Sequence, residues 1–303
     1  MAVAIKFPRY AIWNNKGGVG KTFLSFVIAS EYARTHSDAR VVLIDMCPQA
    51  NLSEIALGGN SKGGKQLETM LKKSHRKTIG GYFDLRLSSP FKPTGNESSF
   101  VVQLSQFNSH LPKNMLFVVG DPSLELQSQT INQIAILPQP QNAWGLVHRW
   151  LIDLVDGIQA QHPSAVFFID CNPSFSAYTE LAVLAANRLI VPCTADGSSA
   201  RAIDNIGQLV YGVGVPASYV ATHFATRANQ QNLPVPSIHV VGMNRTTQYD
   251  RKASSAFTAM YNDIKSRVMA LRKTKPLIFS LPAATSPFFD VPDAHTISVV
   301  VSN

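Results

Sequence analysis

Six short runs rich in β-branched and aromatic residues recur along the chain: YAIW at Tyr10–Trp13, VVLID at Val41–Asp45, MLFVV at Met115–Val119, VFFID at Val166–Asp170, RLIVP at Arg188–Pro192 and HVVGM at His239–Met243. Longer stretches with apolar residues at helical spacing fall between them, over 22–34, 144–158, 178–187, 203–213 and 257–271. Strand-like runs alternating with helical patterns predict βα units, in which near-continuous apolar strands form a parallel sheet covered by helices on both faces. The expected fold class is therefore α/β, with a mostly parallel twisted sheet flanked by helices. With 303 residues and 45 % apolar content, the chain can bury a sizeable core. The candidate site residues described below are scattered from Asn14 to Asn244, so dividing the chain would split one site, and a single domain over 1–303 is expected. The polar, glycine-rich segment 58–113, with GGNSKGGK and SSPFKPTGNESS, reads as a surface elaboration, the least structured and partly mobile part of the chain.

The first β-rich run leads into NNKGGVGKTF, Asn14 to Phe23. Closely spaced glycines let the backbone curl so that several N–H groups point at one anion, and a helix starting near Lys21 adds its positive N-terminal end. Lys21 would contact the β- and γ-phosphates of a nucleotide and the Thr22 hydroxyl would ligate Mg²⁺. The match to GxxxxGK[ST] is imperfect, because Asn15 stands at the first glycine position.

KGGVGKT after YAIW resembles the deviant Walker A motif of the ParA/MinD family of ATPases. Further segments resemble that family in the same order: VVLIDMCPQANLS its Walker A′ segment, MLFVVGDPSLEL its next strand and turn, VFFIDCNPSFS its Walker B region and NRLIVPC the strand after it. The resemblance implies a P-loop NTPase fold and ATP and Mg²⁺ as cofactors. It also implies a nucleotide cradle made of Asn15, Lys16, Gly17, Gly18, Val19, Gly20, Lys21, Thr22 and Phe23. Lys16 is similar to the signature lysine that reaches the nucleotide of the other subunit in an ATP-sandwiched dimer, which would tie transition-state charge stabilisation to dimerisation. Asp170 takes the Walker B place, holding Mg²⁺ through water, and Asp45 the first acid of Walker A′, supporting Lys21 and the metal. Asn244, with Arg245 beside it, takes the place of an adenine-reading asparagine, a role suited to an amide that donates and accepts at once. An asparagine after a strand is also a common turn residue.

One departure stands out. The family's water-orienting acid, just before the proline of Walker A′, is Cys47 here. A neutral thiol orients water poorly, so slow hydrolysis is expected. The alternative is that Cys47 is a packing residue and Asp45 or a backbone carbonyl orients the water.

A net charge of +8 is concentrated in two windows. Residues 62–77 hold six Lys/Arg against Glu68 alone, and 245–275 hold eight against Asp250 and Asp263. Both are candidate polyanion surfaces or ordinary solvated faces. In the second window Lys265, Arg267 and Arg272 flank an apolar helix stripe and are expected to be free for DNA phosphates. The resemblance implies a ParA-like partition or positioning ATPase, an ATP-dependent homodimer that binds DNA non-specifically and answers to a ParB-like or adaptor protein. The competing class is a non-hydrolysing ATP switch that docks a partner. Three scattered cysteines, no signal-peptide order and no apolar run of membrane-spanning length point to the cytoplasm, on the nucleoid if DNA is bound, and to no membrane attachment.

Overall fold

The architecture follows from where the apolar runs go. In the structure, a computed structural model describing residues 7–244 and 255–291, eight strands form one sheet: β1 (Arg9–Ile12), β2 (Arg40–Met46), β3 (Val102–Gln103), β4 (Met115–Val118), β5 (Ala165–Cys171), β6 (Arg188–Cys193), β7 (Ser237–Asn244) and β8 (Phe288–Val291). Their order is β3-β4-β2-β5-β1-β6-β7-β8, and only the β3–β4 pair is antiparallel. All six predicted strands are present. β5 is buried at every position, which is why its sequence is continuously apolar rather than alternating.

Helices cover both faces and create two cores. Tyr10, Leu24, Ile28, Leu43 and Phe168 meet under the helix Lys21–Thr35. On the other face Trp150, Leu154, Phe167, Leu181 and Ile203 pack beneath the helices Trp150–Gln161, Ala177–Ala185 and Gly197–Tyr211. The helix predicted over 144–158 is two, Ala143–His148 and Trp150–Gln161. Near the junction His148 Nδ1 lies 2.8 Å from the Trp144 carbonyl oxygen one turn back, a side-chain contact with a carbonyl that otherwise serves the backbone ladder.

Segment 58–113 departs from its polar composition. It holds the helices Asn60–Leu71 and Ile79–Ser88, and Ile79, Tyr82 and Phe83 are fully buried. Its glycines read as loop punctuation in the sequence, but Gly63 lies inside a helix where a Cβ would come 1.9 Å from the Glu54 carbonyl oxygen. The residue marks a close helix–helix approach, not a turn. Thr78 caps the second helix and donates to Asp121 Oδ2 at 2.5 Å, while Arg76 Nε donates to the same oxygen at 2.6 Å, so the segment is fastened to the end of β4. β3 escaped the sequence pattern because two residues are too short to show a period, and β8, FFDV, because Asp290 interrupts its apolar run and prolines flank it in the sequence.

The helix Ser255–Thr274 packs Ile264 and Val268 against Ile203 and Ile206. Two of its arginines are not free, contrary to expectation. Arg272 is 9 % exposed; its guanidinium donates to the carbonyls of Leu281 (3.0 Å), Pro282 (2.5 Å) and Thr285 and lies over the Phe279 ring, binding the returning chain to the helix end. Arg267 is ion-paired with Asp204 and with Asp263 at 3.1 Å. Lys265, Lys273 and Lys275 remain exposed. No described helix is long and apolar enough to cross a membrane.

Candidate nucleotide site

β1 lies between β5 and β6, and its C-terminal end delivers the chain into the turn that precedes the helix Lys21–Thr35. Asn14, a residue the motif does not single out, fastens this turn: its Nδ2 donates to the Pro192 carbonyl at 2.7 Å and its Oδ1 accepts from the Lys16 N–H at 2.9 Å. Gly18 (φ 74°) and Gly20 (φ 83°) take the left-handed conformations that curl the loop. A Cβ on Gly17 or Gly18 would meet nothing within 4 Å, so the crest of the loop faces open space. Val19 is buried and Phe23 is 61 % exposed. No side chain caps the helix start and its first turn carries no acid, leaving its first amides and positive end for an anion.

The two lysines have distinct surroundings. Lys21 is buried; its ammonium donates to the Lys16 carbonyl at 2.6 Å, and burial lowers its pKa against the opposing pull of Asp170. The Lys16 ammonium turns toward its own chain, donating to Thr194 Oγ1 (2.9 Å) and Ser199 Oγ (3.3 Å) and pairing with Asp196. Asp196 also caps the helix Gly197–Tyr211 by accepting from the Ser198 and Ser199 N–H groups at 3.0 Å each. Partial burial opposes its charge, yet the hydrogen bonds from Lys16 and Thr194 hold its carboxyl well below the usual range. Sequence reasoning missed Asp196; the readable signal was DGSS at a helix start, a capping pattern.

Asp45 and Asp170 sit at paired positions on β2 and β5, both fully buried. Asp45 is engaged by three donors: Cys47 N–H (3.1 Å), Ser53 N–H (2.9 Å) and Ser53 Oγ (2.7 Å). Burial still pushes its pKa up to about 6. Asp170 Oδ1 accepts from Ser25 Oγ at 2.9 Å, and the nearby Thr22 hydroxyl also favours the charged carboxylate. Burial, and then Asp45, push Asp170 up to about 7. Its Oδ2 is buried with no hydrogen-bond partner. An unpartnered carboxylate oxygen beside a threonine hydroxyl fits a hard divalent cation such as Mg²⁺, which takes one or two protein oxygens and completes its shell with phosphate and water. Ser25, one helical turn beyond Lys21, is a further residue that the motif did not reveal.

Cys47 is 9 % exposed, and burial, reinforced by Asp45, pushes its thiol up to about 11. It is a neutral thiol at neutral pH, and both Asp45 carboxyl oxygens accept from donors in the turn that follows β2. Asn244, at the end of β7, lies against the loop: its Nδ2 is 3.3 Å from the Val19 carbonyl oxygen and would be 2.4 Å from a Cβ on Gly20. Arg245 lies outside the described residues. Lys16, Lys21, Thr22, Asp45, Cys47, Asp170 and Asn244 thus gather at the C-terminal end of the sheet, where open α/β folds place ligands.

A glycine turn between a central strand and a helix, with a lysine at the helix start and buried carboxylates on the neighbouring strands, defines a P-loop nucleotide-binding domain. The model of the CobQ/CobB/MinD/ParA nucleotide-binding domain family matches residues 10–235, and the chain belongs to that family. No curated protein sequence matches it. Among solved structures it is similar to apo McdA of Cyanothece, with TM-score 0.61, 15 % identity, and 98 % of this chain and 91 % of the other covered. A plasmid partition protein from Borrelia burgdorferi gives TM-score 0.56 and 12 % identity over 97 % and 96 %. Cobyrinic acid a,c-diamide synthase of Mycobacterium smegmatis, with bound ADP and magnesium, gives 0.58 and 18 % over 97 % and 91 %. At these identities the likeness is one of fold.

The buried carboxyls carry a stability consequence. Their pKa values are raised above the ordinary 3.8, so between about pH 4 and about pH 7 the folded chain holds protons that the unfolded chain has lost, and this contribution to stability falls as pH rises through that window. Asp170→Asn should raise Tm at pH 8 by at least about 2 °C and change it little at pH 4, as read by thermal unfolding. A lower Tm at pH 8 would mean that the ionised carboxylate supports the fold.

Proposed function

We propose that this chain is a ParA-like, ATP-dependent switch: it binds MgATP, closes into an ATP-sandwiched homodimer, binds DNA without sequence preference and serves partition of a replicon or positioning of a cargo, hydrolysing ATP slowly. The observation that carries this reading is the convergence of an open glycine crest, two lysines and a buried, unpartnered Asp170 oxygen at one end of the sheet. Lys21 exchanges the Lys16 carbonyl for the β- and γ-phosphates, and the loop amides bind phosphate oxygens. Thr22 and Asp170 hold the Mg²⁺. Magnesium, when bound, supplies charge that neutralises the phosphate oxygens. Asn244 and Arg245 are assigned to the base, Asn244 leaving Val19 to do so.

Lys16 has a separate task. To serve the nucleotide of the other subunit it must leave Thr194, Asp196 and Ser199, so dimer closure replaces an internal ion pair with an intersubunit one. Lys21→Ala should abolish ATP binding measured by titration, whereas Lys16→Ala should keep nucleotide affinity within about 3-fold and lose the ATP-dependent doubling of mass seen by light scattering. Equal loss of affinity in both variants would contradict this division of labour.

A neutral Cys47 where a carboxylate is expected also favours the reading of a non-hydrolysing switch that docks a partner, ParB-like or adaptor, which resets it. The protein then acts in the cytoplasm, on the nucleoid where DNA is bound. For DNA, with Arg267 and Arg272 occupied, the contacts fall to Lys265, Lys273 and Lys275. Reversing these three to Glu should weaken ATP-dependent binding to a random duplex at least 10-fold in a salt-sensitive manner, leaving ATP binding intact. Undiminished DNA binding by that variant would show the helix to be an ordinary solvated face.

A further inference from the structure

A groove of about 630 Å³ runs between the helix Asn60–Leu71 and the edge strand β3, apart from the residues of the nucleotide site. Its rim carries Lys65, Lys73 and Lys77, all exposed. None of the three is ion-paired among the described residues, whereas Lys72 and Arg76 of the same basic window are bound to Glu68 and to Asp84 and Asp121. No carboxylate lines the groove. Three ammonium groups around one concavity repel each other and create a positive potential that an anionic occupant relieves.

The floor is apolar. Met70 is buried, and Val102 and Phe107 are half-buried beside it. A duplex phosphate backbone is convex and gains nothing from such a floor, whereas a peptide fills it with side chains, and methionine adapts its shape to varied ones. β3 ends the sheet, and its far side has no strand partner among the described residues. An extended segment laid along a sheet edge takes up backbone hydrogen bonds and sends alternate side chains to opposite sides.

We propose that this groove docks an extended, acidic segment of a partner protein, with its apolar side chains on Met70 and Phe107 and its carboxylates on Lys65, Lys73 and Lys77. The assignment does not depend on the nucleotide reading. The test is fluorescence anisotropy with a fluorescein-labelled ten-residue peptide alternating Glu and Leu, its counterpart alternating Lys and Leu, and a labelled 20-nucleotide single strand. The Glu peptide should bind and weaken with salt. It should lose at least 10-fold in affinity to the Lys65→Glu/Lys73→Glu/Lys77→Glu variant, and more than 3-fold to Phe107→Ser, with unchanged far-UV circular dichroism and a cooperative thermal transition showing that both variants are folded. The Lys peptide should not bind. Failure of the Glu peptide to bind, equal binding of the Lys peptide, or full affinity in the lysine variant overturns the proposal. A single strand that binds through the three lysines where the Glu peptide does not would assign the groove to nucleic acid instead.

Discussion

Two carboxylates buried at paired positions on adjacent parallel strands, Asp45 on β2 and Asp170 on β5, impose the main constraint on this molecule. Neither faces water, and each disfavours ionisation of the other, so the surrounding structure must compensate. Asp45 has a donor for each oxygen: three donors from Cys47 and Ser53 close the turn after β2, and Ser53 Oγ also accepts from the Gly120 N–H at 2.8 Å, joining that turn to the end of β4. Asp170 is compensated in part, by Ser25, Thr22 and the nearby charge of Lys21. One turn is a structural joint, and the other carboxylate keeps a buried oxygen with no hydrogen-bond partner.

The lysines express the same economy. Lys21 and Lys16 are retained by a carbonyl of the loop and by Asp196 respectively. On the proposed function, nucleotide binding and dimer closure would be exchanges of partners, not the ordering of free side chains, and their net energies differences between two sets of charge-assisted hydrogen bonds. Of the two holding contacts, the one on Lys16 is the more elaborate, three oxygens at the start of one helix.

Much of this was legible in the sequence for physical reasons that can be named. Six buried strands announce themselves because parallel sheets bury both faces, and the glycine turn because only a few residue types accept its dihedral angles. Segment 58–113 was misread because glycines that admit a neighbouring backbone, as Gly63 does, look the same in a sequence as glycines that make turns. Arg272 was misread as a surface cation because its partners are backbone carbonyls of 281–285, which have no residue signature. Asp196, Asn14 and Ser25 support the site from outside the motif, and only the first has a local pattern that points to it.

The central claim is that the site can hold ATP but lacks the group that directs water at it, because a thiol pushed up to about 11 occupies the place of a carboxylate. The most direct measurement is single-turnover phosphate release from preformed ATP complexes of the wild-type protein and of Cys47→Asp, with ATP affinity measured in parallel. The account predicts slow release by the wild type and a gain of roughly 10-fold or more in the variant at unchanged affinity. Release from the wild type that Cys47→Asp does not accelerate would contradict it, and would show that another group orients the water and that Cys47 only fills space.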